Sequence, residues 1–148
     1  AEYLQQRWQQ TLGIKVKIEE LEWQAFLEWR GTKQTAETFD LYRGGWVSDY
    51  EDPNNWYNML WDSAESPLNS GWQREEYDRI VRGARAALDP QQRATLYGQA
   101  EKILAEEYPI IPVYHYATRQ LVKPWVQNWK PARVLAISSL AKVQVLER

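Results

Sequence analysis

Apolar residues recur along this chain with two different periods, and the period predicts the element. Tyr3, Leu4, Trp8 and Leu12 share one face of a helix over residues 1–12, and Gly13 follows as a C-terminal stop. Ile14, Val16 and Ile18 then alternate with Lys15, Lys17 and Glu19, the pattern of a half-buried strand. Trp23, Phe26, Leu27 and Arg30 return to helical spacing. Residues 31–38 are polar and read as a loop, and Phe39 to Trp46 reads as a second strand. Asn54 to Trp61 is a short helix capped near Asp52, with Pro53 at its first position. Residues 62–72, with Pro67 and Gly71, read as an exposed loop.

The second half is dominated by helix. Tyr77, Ile80, Val81, Ala84 and Leu88 place a helix over Glu75 to Leu88. Asp89-Pro90 is a cap followed by proline at the first helical position, and it opens a helix whose face is Leu96, Tyr97, Ala100, Ile103 and Leu104. Pro109 ends that region. Ile110–Tyr116 reads as a buried strand broken by Pro112, with Leu121–Val122 and Val143–Leu146 as further strands. Strands interleaved with helices give an α/β class: a mixed sheet flanked by helices.

Composition narrows the function classes. The 148 residues are 44% hydrophobic and 26% charged, with a net charge of -2, which gives no nucleic-acid surface. No apolar run reaches the length of a membrane span. The absence of cysteine removes disulfides and thiolate metal sites, and it suits an exported protein. His115 stands alone, without the companions a zinc site needs. No nucleophile elbow is present, and the acidic pairs Glu19-Glu20, Glu75-Glu76 and Glu106-Glu107 read as solvated faces, so neither a catalytic site nor a cofactor is expected. Nine Trp and nine Tyr against two Phe favour aromatic side chains with a polar handle, as used in the core or in half-wet clefts.

The densest chemistry lies between Phe39 and Trp56. Arg43, Trp46 and Asp49 fall within seven residues, around Gly44-Gly45 and before the stop Asp52-Pro53. Opposite charges, a flat aromatic and bare backbone at a strand end suit a ligand with an ammonium group, a carboxylate and amide edges, which a peptide has. Asp49 also reads as a plain turn cap, Trp46 and Trp23 as core, and Arg43 as an internal partner of Asp40 or Asp49.

Gly45-Trp46-x-x-Asp49-x-x-Asp52-Pro53-x-x-Trp56 resembles a block of the periplasmic oligopeptide- and dipeptide-binding proteins of ABC importers, the family 5 extracellular solute-binding proteins. Tyr3 to Val16, Glu22 to Leu27, Asp89 to Tyr97, Ile110 to Tyr114 and Leu121 to Val126 resemble further landmarks in family order. The resemblance implies part of the C-terminal lobe of a two-lobed fold, with residues 1–117 as its second half and 118–148 as a tail returning to the N-terminal lobe. It implies that Asp49 binds a peptide ammonium, and that Gly45, Trp46 and Val47 offer backbone to an extended peptide. By the same alignment Trp23 lines a pocket, and Arg43 and Arg30 lie near the ligand carboxylate. The implied partners are a short peptide, an ABC permease and the remainder of the same protein, in a periplasmic or other extracytoplasmic location. Since Ala1 is no initiator and the family's chains are several times longer, the chain reads as a fragment, with self-association through unpaired edges. A carbohydrate-binding protein or module, including a sugar-binding member of the same family, is the alternative, because Trp-rich surfaces stack on sugars.

Overall fold

The computed structural model describes residues 1–31, 39–68, 70–117, 119–131 and 140–147, so most of the loop expected over 31–38 lies outside the described residues. The chain divides into two compact units, residues 1–45 with 67–71, and residues 46–66 with 72–148.

The first unit is built on two helices and an aromatic cluster. Helix α1 spans Glu2–Leu12 and stops where Gly13 takes φ 69°, a left-handed conformation that glycine adopts without steric cost. Gln5 then donates from Nε2 to the carbonyl of Val16 at 2.6 Å, laying the next segment back along the helix. Helix α2 spans Trp23–Arg30. The Glu22 carboxylate caps it, accepting from the amides of Gln24 at 2.8 Å and Ala25 at 3.3 Å. None of the residues described as buried lies in this unit. Half-buried rings hold it instead: Trp29 meets Phe39 edge-on at 4.8 Å and Tyr42 at 5.8 Å, and Phe26 lies 6.0 Å from Tyr42. Tyr42 donates its hydroxyl to the carbonyl of Leu68 at 2.9 Å, which ties residues 67–71 to the same unit.

The second unit contains the buried core. Helices α3 (Asn54–Trp61), α4 (Glu75–Ala86) and α5 (Pro90–Glu107) pack around Leu60, Trp61, Tyr77, Val81, Ala84, Tyr97 and Ala100. Tyr77, Val81 and Ala84 recur at helical spacing on α4, which is why that face turns inward. Asp89 accepts from the amides of Gln91 and Gln92, and Pro90 opens α5, as the sequence predicts. Helix α5 closes at Tyr108, which takes φ 51° and returns its amide to the carbonyl of Leu104 at 3.1 Å, immediately before Pro109.

One buried amide joins the helices. Asn58, fully buried on α3, donates from Nδ2 to the Val81 carbonyl of α4 at 2.8 Å. Its Oδ1 accepts the hydroxyl of Tyr97 from α5 at 3.1 Å. Tyr77 in turn donates to the Tyr57 carbonyl at 2.8 Å, and burial pushes its hydroxyl pKa far up, so it stays a donor. Arg82 grips buried Asp62 with two bonds of 2.8 and 2.6 Å, fastening the C-terminal end of α3 to α4. The amide and hydroxyl of Ser63 both donate to Asp78 beside that pair.

The sheet among the described residues is small. Strand β1 (Val126–Gln127) pairs antiparallel with β2 (Gln144–Val145), with Val126 opposite Val145. Thus a strand forms within the expected Val143–Leu146, whereas the segments around Ile14–Ile18, Phe39–Trp46, Ile110–Tyr116 and Leu121–Val122 join no ladder among the described residues. A strand is completed by a partner edge, and period-two alternation marks the faces without supplying that edge. Ile110 to Tyr116, expected as buried, is exposed throughout.

Two outcomes follow from this core. Tyr97→Phe strips buried Asn58 Oδ1 of its donor and should lower stability by about 1–3 kcal/mol in urea unfolding. Hydrogen bonds from Arg82 and Arg93 hold the pKa values of Asp62 and Asp52 below that of an ordinary aspartate. The stabilisation is therefore full above the unfolded value of about 4 and is lost as pH falls below it. Helical circular dichroism should show acid unfolding there, and Asp62→Asn should flatten that part of the profile; an unchanged profile would contradict the role given to the pair.

Candidate functional site

The segment entering α3 is organised by Asn55. This residue sits in the first turn of the helix and is fully buried. Its Oδ1 accepts the indole N–H of Trp46 at 2.8 Å and the backbone amide of Asp49 at 3.2 Å. Its Nδ2 donates to Asp49 Oδ2 at 3.2 Å and faces the Met59 sulfur at 3.2 Å. Tyr50, next along the chain, donates its hydroxyl to Asn54 Oδ1 at 2.5 Å. Two side chains singled out by the sequence, Trp46 and Asp49, thus converge on one amide.

Asp52 anchors the other end of the segment. Its Oδ1 accepts the amide of Asn54 at 2.8 Å, which starts α3. Arg93 of α5 holds both carboxylate oxygens, at 2.8 and 2.7 Å, while its Nε donates to the Ala84 carbonyl at 3.2 Å. Those hydrogen bonds are the main cause of the lowered Asp52 pKa. The guanidinium also lies over the Tyr97 ring at 5.2 Å. Entry to α3 is therefore fixed to the helical core rather than left as a free loop.

This arrangement can present a negative charge and bare backbone. Asp49 is exposed, and its Oδ1 accepts no hydrogen bond from another described residue. The peptide groups of Trp46 and Val47 make no hydrogen bond to another described residue, and the Val47 side chain is exposed. Trp46 is half-buried, with its N–H already engaged, so it offers only ring surface.

The remaining candidates belong to the first unit. Trp23 opens α2, is 64% exposed and stacks on Phe26 at 5.7 Å, so it is not core. Arg30 ends the same helix with its guanidinium 5.7 Å from the centre of the Phe26 ring. Arg43 and Gly45 are exposed in residues 39–45. Positive φ among the described glycines occurs at Gly13 and Gly71, so Gly44 and Gly45 do not make a left-handed turn. Among the described residues no group of three or more His, Cys, Asp or Glu is placed to hold a metal ion, and no helix is long and apolar enough to cross a membrane.

Asn55, Asn58 and Arg93 carry much of this architecture, and the sequence reading passed over all three. A signal existed: Asn55 and Asn58 are three residues apart, on the same side of a helix whose other positions include Trp56, Tyr57, Met59, Leu60 and Trp61.

Residues 1–67 match the family described as bacterial extracellular solute-binding proteins, family 5 Middle. The periplasmic oligopeptide-binding protein OppA of Salmonella typhimurium is 37% identical over 123 residues, covering 82% of this chain and 22% of that protein. The solved structure of the Escherichia coli murein tripeptide binding protein MppA aligns with a TM-score of 0.73 at 31% identity, over 85% of this chain and 24% of that one. The pheromone receptor PrgZ, solved with its mode of peptide binding, gives 0.74 at 25% identity over 99% of this chain and 27% of that one. The chain thus spans about a quarter of the length of the proteins it matches. These neighbours place its fold as a portion of the α/β periplasmic-binding-protein fold.

Proposed function

We propose that this chain, a portion of a family 5 bacterial extracellular solute-binding protein, supplies one wall of a peptide-binding cleft. The full-length protein captures short peptides outside the cytoplasm, in the periplasm or at the membrane surface, and delivers them to an ABC permease. It binds by lobe closure and performs no chemistry on the ligand. Residues 1–117 belong to the C-terminal lobe, and 118–148 return toward the N-terminal one.

The observation that carries this reading is Asp49. Its carboxylate is exposed, held through one oxygen and open at the other. An ammonium group is the natural occupant of such a position, and a charge-assisted hydrogen bond strengthens when closure removes water. Beside it, the peptide groups of Trp46 and Val47 take an extended backbone, which gives affinity with little side-chain selectivity. In the first unit, Gly45, Arg43, Arg30 and Trp23 are the further candidates for ligand contact, the two arginines suited to a carboxylate. No observation favours a sugar: Trp46 spends its indole N–H on Asn55, and OppA, MppA and PrgZ are named or described for peptides.

In the full-length protein, Asp49→Asn should weaken binding of peptides with a free amino terminus by roughly 2–5 kcal/mol, because the ammonium is left without its counter-charge. Calorimetry with a peptide, its N-acetylated form and a small sugar panel tests this. Equal affinity for free and acetylated peptide, or tight binding of a sugar alone, would overturn the assignment. The 148-residue chain by itself should associate through the exposed apolar side chains of Ile110, Ile111 and Val113. Light scattering should show mass rising with concentration; a strict monomer would sink that expectation.

A further inference from the structure

We propose that Asn55 is a positioning residue for ligand recognition: its buried amide sets Trp46 and Asp49 together and thereby gives the site its preference for a free ammonium group. The proposal rests on the reading of Asp49 as the ammonium-binding acid.

A primary amide has two acceptor lone pairs and two donor hydrogens. At Asn55 both lone pairs are used, by Trp46 Nε1 at 2.8 Å and the Asp49 amide at 3.2 Å. The NH2 group turns to Asp49 Oδ2 and the Met59 sulfur, each at 3.2 Å. The orientation is fixed by its partners, since a flipped amide would set NH2 against two N–H donors. The side chain is fully buried, so it has no face and no bonding capacity left for a ligand. Its influence must pass through Trp46 and Asp49.

An apolar residue would fill a buried helical position without needing polar partners. The amide does something that packing does not. It accepts from the backbone of Asp49 and donates to the carboxylate of the same residue, so main chain and side chain are fixed by one group. Oδ2 is held, and Oδ1 accepts no hydrogen bond from another described residue. A carboxylate already confined to one orientation loses less freedom when a ligand arrives, which raises affinity without a new contact. The same amide holds the Trp46 ring, so the aromatic surface and the charge keep a constant separation.

The test uses Asn55→Ala in the full-length protein, titrated with a peptide carrying a free amino terminus and with its N-acetylated twin. Affinity for the free peptide should fall about three- to tenfold, as for loss of a hydrogen bond, and affinity for the acetylated twin should hardly change. Adding Asn55→Ala to Asp49→Asn should cause no further loss. The indole N–H resonance of Trp46, assigned by its disappearance in Trp46→Phe, should move upfield in Asn55→Ala. Equal losses for both peptides, additive losses in the double variant, or an unmoved resonance would overturn the proposal. If Asp49→Asn alone leaves the free peptide bound as before, the acid assignment fails and this inference fails with it. If Asp49→Asn weakens binding and Asn55→Ala does not, the inference alone fails. Should Asn55→Ala not fold, Asn55→Ser repeats the test, since one hydroxyl cannot replace a two-ended amide. Collapse of both variants would assign Asn55 a purely structural role and overturn the proposal.

Discussion

The helical unit depends on the Asn58 amide. Burying a primary amide is costly unless both its ends are paired, and here the two ends go to different helices. Sliding α4 against α3 would strand Nδ2, and sliding α5 would strand Oδ1. Apolar contacts among Tyr77, Val81, Ala84 and Ala100 supply the drive to collapse, but they tolerate small shifts. The amide adds direction to that non-directional attraction.

Helix α3 is the beneficiary. It is short, and an isolated helix of this length would not persist in water. Two bidentate arginine–aspartate pairs bracket it, Arg93 with Asp52 at the entrance and Arg82 with Asp62 at the exit. Asn58 fixes its middle and Asn55 its entering loop. The loop that carries Trp46 and Asp49 is thus one amide away from a helix that is itself held at three points. A site on a loop gains the precision of a rigid element when it is tied to one in this way.

Much of this was legible from local rules. Gly13, Asp89 and Pro90 act within a few residues of themselves, so spacing alone locates the helix ends. The block from Gly45 to Trp56 was legible as a candidate site because charge, aromatic surface and bare backbone are crowded there. The strands were less legible: Ile14–Ile18 and Ile110–Tyr116 have the right alternation or apolar content, but a ladder needs a second edge. Asn55 escaped notice for another reason. A periodicity argument sorts residues by hydropathy and assigns an asparagine to the solvated face, whereas this one is buried because its partners come from the loop just before it. Arg93 is 41 residues from Asp52, and nothing in the interval announces that they meet.

The end of α5 has a further consequence. Tyr108 adopts a left-handed backbone conformation without being glycine, and Pro109 follows with its own fixed φ. The helix cap at Tyr108 and the covalently fixed φ of Pro109 together narrow the heading of the chain as it leaves the helix. The segment from Ile110 to Tyr116 is pre-aimed. Much of the rotational search that usually precedes strand docking has already been restricted by its own backbone, so whichever edge receives it meets a ribbon with a narrow choice of direction.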